Sequence, residues 1–378
     1  MSSARTLARC IAVSIIEKEI CVQRPPLSFI GLASLLLTAC GSSGGSDPSP
    51  APVPDRFAEV DATARAAYER QNVPGMGLAI YDRTGTLVFQ QMYGDFDADR
   101  RVAIASASKM VAGAVIFRLI DAGYLSLDST TAEVLGWSDE KSAITLRHLL
   151  SFTSGLPPEH LCTIQTNIDL SDCVAIIEQQ APVAAPGTLF EYGSTHLHVA
   201  ARMAEVQVGS TWNAIFRTQL VEPLGLSELE FYTRPRRAEG TSNPLIAGGM
   251  RASMNEYARI LHFVFDEGVW QGAALLDPGL FDLQTREPYP DALVGNTPRD
   301  QLTDSSYYGL TAWLECATPD EGCEQLSSPG AFGFTPWLDR DAGYFAILGM
   351  ELQRSDSGVV GFAVDLKQAL APLIVEAL

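Results

Sequence analysis

Hydrophobic and polar positions change their period several times along residues 56–378, and each change marks an expected element. Phe57, Val60, Ala64 and Tyr68 recur at helical spacing over 56–71, which predicts a helix with one buried face. Two β-rich runs follow, 75–81 and 86–93, joined by Asp82-Arg83-Thr84-Gly85; that arrangement predicts a β-hairpin. The next stretch, about 107–122, is apolar nearly all round until Arg118, so a helix there belongs inside the protein. From about 130 to 235 helical patches alternate with loops, broken at Pro157-Pro158 and Pro186-Gly187. Residues 343–352 form a continuous apolar run expected as a buried strand, and 358–378 a closing amphipathic helix. Strands and helices at both ends of a helical insertion predict an α/β (α+β) fold, a sheet flanked by helices with an all-helical subdomain, in which the two chain ends meet.

The beginning of the chain follows another pattern. The apolar run 27–40 is too short to span a bilayer comfortably and reads as the core of a signal peptide. Its end, Leu37-Thr38-Ala39-Cys40, resembles a bacterial lipobox, in which a peptidase cuts before a cysteine that has been lipidated. The competing reading makes Cys40 an ordinary residue of a secretory signal or membrane helix. The Gly/Ser-rich and then Pro-rich stretch that follows suits a tether that holds a domain off a surface. The expected organisation is a lipoprotein signal segment at 1–40, a tether at 41–55 and one catalytic unit at 56–378. A lipid anchor at Cys40 would hold that unit on the periplasmic side of a bacterial cell envelope.

With 47% hydrophobic and 19% charged residues, the chain is neither disordered nor collagen-like. Its 26 basic and 45 acidic residues give a net charge of −19, spread along the sequence. Nucleic acid is therefore excluded as a partner, because phosphate binding needs clustered Lys and Arg. Of seven cysteines, Cys10, Cys21 and Cys40 belong to the leader, leaving Cys162, Cys173, Cys316 and Cys323. An even remainder in an exported chain suggests two disulfides. Three pairings are open, and the short polar stretches inside each near pair favour Cys162 with Cys173 and Cys316 with Cys323. Zinc would need tighter spacing.

Three places could carry chemistry. Ser106-Ala107-Ser108-Lys109 opens the apolar helix, and residues three apart share a helix face, so the Ser106 hydroxyl and the Lys109 amine can meet. Burial of an ammonium is costly, so a desolvated Lys109 could accept the serine proton. The alternative is a Ser cap followed by a Lys that reaches solvent. Tyr192, in Glu191-Tyr192-Gly193-Ser194, stands on a loop before a helix and could relay protons beside a buried amine. Residues 327–339, rich in small side chains, could bring a strand N–H close to a substrate carbonyl. Two metal-like patterns fail. His196 and His198 lack a third ligand in register, and Asp95, Asp97 and Asp99 are followed by Arg100 where a calcium loop needs Gly.

The order and spacing of these motifs resemble the serine β-lactamase and penicillin-binding-protein superfamily, in its class C-like branch with esterases and D-amino-acid-releasing peptidases. The resemblance extends to 145–156 (Thr-Leu-Arg-His-Leu-Leu-Ser-Phe-Thr-Ser-Gly-Leu), to Pro223-Leu224-Gly225-Leu226 and to 247–253. It implies Ser106 as the acylated nucleophile, Lys109 as base, Tyr192 as acid or base, and the N–H groups of Ser106 and Ala331 as an oxyanion hole. Ser194, Ser328 and Gly330 would face substrate. Ser194 stands where the family has Asn, and Ser328 where it often has Lys or His; both departures turn the expectation from lactams and peptides toward esters. The resemblance thus implies a monomeric serine hydrolase, most like an esterase, acting without metal or cofactor on a small ester, amide or lactam or a peptidoglycan-like peptide. A β-lactamase or D,D-peptidase is the rival enzyme, and a silent envelope-binding module the rival of another class.

Overall fold

The first strand of the main sheet, β1 (Gly75–Asp82), is buried on both faces, and the architecture follows from how those faces are covered. The computed structural model describes residues 55–71, 73–295, 297–298, 307–316, 322–352 and 357–378; the proposed lipidation site Cys40 lies outside them. β1 pairs with β2 (Leu87–Gly94) through the expected hairpin. On its other edge it receives a strand from near the C-terminus. With β3 (Tyr307–Tyr308), β4 (Trp313–Leu314), β5 (Gln325–Ser327), β6 (Thr335–Asp339) and β7 (Tyr344–Gly349), the sheet runs β2-β1-β7-β6-β5-β4-β3, and every neighbouring pair is antiparallel.

Period-2 alternation along β1 sends Leu78 and Ile80 to one face and Ala79 and Tyr81 to the other. The first face is covered by α1 (Ala58–Gln71) and by α6 (Ser357–Ala377), which contributes Leu370 and Ile374. The chain ends do meet: Arg56 Nη1 donates to the Leu378 carbonyl at 3.3 Å. The second face packs on α2 (Ser108–Asp121) and α5 (Met254–Phe265). Gly77 and Gly349 oppose each other across β1 and β7. A Cβ on either would lie within 2.6 Å of the Met254 sulfur, so the missing side chains let the start of α5 sit down on the sheet.

Between α2 and α5 the chain makes the expected helical subdomain. Its longer helices are α3 (Leu170–Glu178) and α4 (Thr195–Val208), with shorter ones at Thr131–Leu135, Leu146–Leu150 and Trp212–Phe216. It departs from all-helical structure in a short parallel ladder between Leu189–Phe190 and Leu293–Val294 and in isolated antiparallel bridges such as Thr130 with Thr145 and Phe231 with Met250. Both favoured disulfides form. Cys162–Cys173 ties the Leu161–Ile164 turn to α3, and Cys316–Cys323 staples the connection from β4 to β5. Among the described residues no helix is long and apolar enough to cross a membrane.

Candidate active site

The pivot of the site is a tight turn, Ala105–Ala107, that leads straight into α2. Ala105 takes φ +47°, a left-handed conformation that costs a non-glycine residue energy. Neighbouring segments hold it there: the Ile104 N–H donates to the Met250 carbonyl at 3.2 Å, and the Tyr257 hydroxyl to the Ala107 carbonyl at 2.8 Å. The Ser108 hydroxyl accepts from the Met250 N–H at 3.1 Å. Ser106 is thereby fixed at the N-terminal end of a buried helix, where backbone N–H groups favour negative charge.

Lys109 is 3% exposed. Its ammonium donates to the Ser106 hydroxyl at 3.0 Å and to the Ala247 carbonyl at 2.8 Å, and lies 4.6 Å from the centre of the Tyr192 ring. No carboxylate is in salt-bridge contact with it among the described residues. Tyr192 is clamped by aromatic neighbours: its ring stacks on Trp313 at 5.3 Å and meets Phe152 and Tyr308 edge-on. The loop carrying Tyr192 is anchored by a chain of bonds the sequence did not reveal. His196 is fully buried; its Nδ1 lies 2.7 Å from the Ser154 hydroxyl and its Nε2 2.8 Å from the Glu191 carbonyl. Burial holds its pKa down at about 4, with the nearby Lys109 charge acting in the same direction. His196 and His198 are both buried core residues.

Ser106, Lys109, Tyr192 and Ser194 share one open cavity of about 520 Å³. Ser328 and Gly330 instead pack on the nucleophile turn itself. The Ser328 hydroxyl donates to the Ser106 carbonyl at 2.9 Å, and a Cβ on Gly330 would come within 2.2 Å of the Ile104 carbonyl. Ala331 follows, and its N–H has no hydrogen-bond partner among the described residues. The Ser194 hydroxyl donates to Glu159 at 3.1 Å. Glu159 has much of its surface open to solvent, yet its carboxyl is crowded enough that desolvation raises its pKa, against the opposing pull of the Lys109 charge and the Ser194 bonds.

Sequence reasoning missed Glu159, the Ser154–His196 clamp, Phe332, and Arg234, Arg236 and Arg237, which also line the cavity. Only the run Arg234-Pro235-Arg236-Arg237, unusual in so acidic a chain, offered a signal. The calcium-like aspartates form a local turn: Asp95 pairs with Arg100, and Asp99 accepts from Asn255.

A serine and a buried lysine one helical turn apart, beside a clamped tyrosine, is a constellation for acyl transfer. The Beta-lactamase family model matches residues 60–364. The chain belongs to that family. β-Lactamase-fold proteins comprise serine hydrolases and acyltransferases. A solved structure from Bacteroides dorei DSM 17855, assigned to the β-lactamases, superposes with a TM-score of 0.72 at 29% identity, covering 82% of this chain and 98% of that one. Penicillin-binding protein 4 of Amycolatopsis lactamdurans is 32% identical over 132 residues, 32% of this chain and 34% of that protein. Monacolin J acid methylbutanoyltransferase of Aspergillus terreus is 25% identical over 245 residues, 53% of this chain and 59% of that protein. The chain thus spans between about a third and three-fifths of the length of these curated relatives.

Proposed function

We propose that this member of the β-lactamase family is a serine hydrolase that works through an acyl-enzyme on Ser106 and prefers ester carbonyls. The observation that carries the reading is the 3.0 Å contact between Lys109 Nζ and Ser106 Oγ, made by a buried lysine with no carboxylate in contact among the described residues. Once Lys109 has given up its proton, its lone pair faces the serine hydroxyl across the same contact and takes that proton as Oγ attacks the carbonyl carbon. The N–H groups of Ser106 and Ala331 receive the oxyanion. Collapse breaks the bond to the leaving oxygen, which departs as an alcohol with the proton passed on through Lys109 and Tyr192. Water then attacks the acyl-enzyme, the acid leaves and Ser106 regains its hydrogen.

Two local bonds support esters over amides. The Ser194 hydroxyl is engaged by Glu159 and the Ser328 hydroxyl by the Ser106 carbonyl, so neither presents the amide or cationic donor that a lactam or peptide would use. The rival reading, a β-lactamase or D,D-peptidase, draws on the likeness to Penicillin-binding protein 4. Both are tested by intact mass of the purified full-length chain after exposure to a fluorophosphonate, a penicillin and p-nitrophenyl butyrate, beside Ser106→Ala. A Ser106-dependent adduct with ester turnover is expected. Faster and stable acylation by penicillin would favour the rival, and no adduct from any reagent on folded protein would leave only a silent envelope-binding module.

The reading includes a lipid anchor at Cys40 on the periplasmic side of the envelope, supported by the 37–40 motif and the tether behind it. Metabolic labelling with a palmitate analogue should mark the native chain and not Cys40→Ala; equal labelling of both rejects the anchor.

A further inference from the structure

Arg234, Arg236 and Arg237 all line the cavity that holds Ser106, and all three are solvent-exposed. The turn that carries them is built to stay in place. Pro235 is buried, and its carbonyl accepts from Arg251 Nη1 at 2.9 Å. The Arg234 N–H donates to the Glu239 carbonyl at 3.0 Å, and Ala238 closes the turn at φ +51°. Elsewhere on the described surface Arg65, Arg100, Arg147 and Arg202 each hold a carboxylate. The turn differs. Among the described residues the Arg234 side chain donates to a carbonyl, that of Ile164 at 3.3 Å, and neither Arg234 nor Arg237 has a carboxylate partner. Arg236 lies 4.5 Å over the Phe332 ring and 3.9 Å from Glu351. The cavity's own acid, Glu159, is engaged by Ser194 and the Lys109 charge.

In a chain of net charge −19, two arginines on a fixed turn at the nucleophile's cavity with no acidic partner among the described residues leave cationic charge facing that cavity uncompensated. Guanidinium forks match carboxylate and phosphate oxygens, and the apolar wall of Ile164, Leu245 and Phe332 suits a hydrocarbon segment between that anion and the scissile bond. We propose that the Arg234–Arg237 turn is an anion-recognition arm of the Ser106 site, selecting substrates that carry a carboxylate or phosphate beyond a short apolar chain. This rests on the reading of Ser106 as nucleophile, and the test separates the two.

The full-length chain is assayed with a matched pair, the p-nitrophenyl monoester of adipic acid and p-nitrophenyl hexanoate, and with a phosphonate-ended analogue; rates from Ser106→Ala are subtracted. The ratio of kcat/KM for anionic over neutral ester should be about ten or more at low salt, and should fall as salt screens the contact. In Arg234→Gln/Arg237→Gln the ratio should drop to about one, through KM. Whichever anionic ester shows the larger ratio identifies the group recognised. A ratio near one in the native chain, or an unchanged ratio in the double variant, overturns the arm while leaving the hydrolase intact. If no ester is turned over, titration calorimetry with adipate and with inorganic phosphate decides: binding abolished by the double variant upholds the arm without the hydrolase, and no binding overturns it.

Discussion

Lys109 and Lys367 are buried to nearly the same depth, 3% and 4% exposed, in helices that are both largely apolar. Lys367, on α6, forms an ion pair with Glu315, whose side chain is itself almost buried. Burial still pulls the Lys367 pKa below the usual lysine range. Lys109 meets a hydroxyl, a carbonyl and an aromatic face instead. Depth therefore marks a lysine that needs explaining, and its neighbours supply the explanation. One ammonium closes an ion pair between a helix and the sheet's connection; the other faces an oxygen that can become a nucleophile. Lys141, the remaining lysine after the leader, satisfies the carbonyls of Glu178 and Gln180 at the end of α3.

The sharpest way to break this contrast is to remove each charge in turn. Lys109→Met should slow fluorophosphonate labelling of Ser106 by about a thousandfold, with the melting transition preserved. Lys367→Met should label at the native rate yet lose about 3–5 kcal/mol in urea unfolding, because Glu315 is left buried and unpaired. Lys367→Met/Glu315→Leu should regain most of that loss. Equal labelling defects in the two lysine variants would erase the distinction. Next in size, Tyr192→Phe should cost about a hundredfold in ester turnover while its ring keeps its place between Trp313 and Phe152; an unchanged rate would remove Tyr192 from the proton path.

Acid should separate the two regions by stability. His196 titrates near 6.5 when unfolded and at about 4 in the fold, so the folded state resists its protonation. Its contribution is fully present above pH 6.5 and is lost as pH falls toward 4, an effect of about 2–4 kcal/mol. The melting temperature of the native chain should fall over that window, and His196→Asn should lessen the fall, the remainder belonging to His148 and His198, whose pKa values burial likewise holds down at about 4. A parallel fall in both would place the acid sensitivity elsewhere. The smallest expected change is in Glu159→Gln, which removes the carboxylate that accepts from Ser194 and should lower the labelling rate of Ser106 by about twofold; an unchanged rate would mean that Glu159 has no part in the site.

What could be read from the sequence was what repeats locally. α1, the β1–β2 hairpin, α2, β7 and α6 each announce a period or an unbroken apolar run, and each is found within a residue or two of its expected position, except that β7 ends three residues earlier than the apolar run. β3, β4 and β5 are two or three residues long, too short for any alternation to register. The site divides in the same way. Ser106, on the turn, and Lys109, on the helix it leads into, are three residues apart, so spacing alone brings them together, and Tyr192 was a loop candidate to which the resemblance gave a role. Glu159, His196 and the arginine turn reach the site only by tertiary folding. His196 looked like half of a metal pair because its partners, Ser154 and the Glu191 carbonyl, lie on segments that periodicity does not link.

The antiparallel pairing of Gly77 with Gly349 joins strands from opposite ends of the domain. During synthesis β1 and β2 can close their hairpin early, but the other edge of β1 stays an unpaired, apolar ribbon until β7 has left the ribosome. A product that terminates before Tyr344 thus carries every side chain of the Ser106–Lys109 pair and no partner for that edge. Such fragments should be sticky and inert instead of partly active. Genetically, late nonsense mutations should then be as damaging as early ones, with tolerance to truncation absent until well past the final strand.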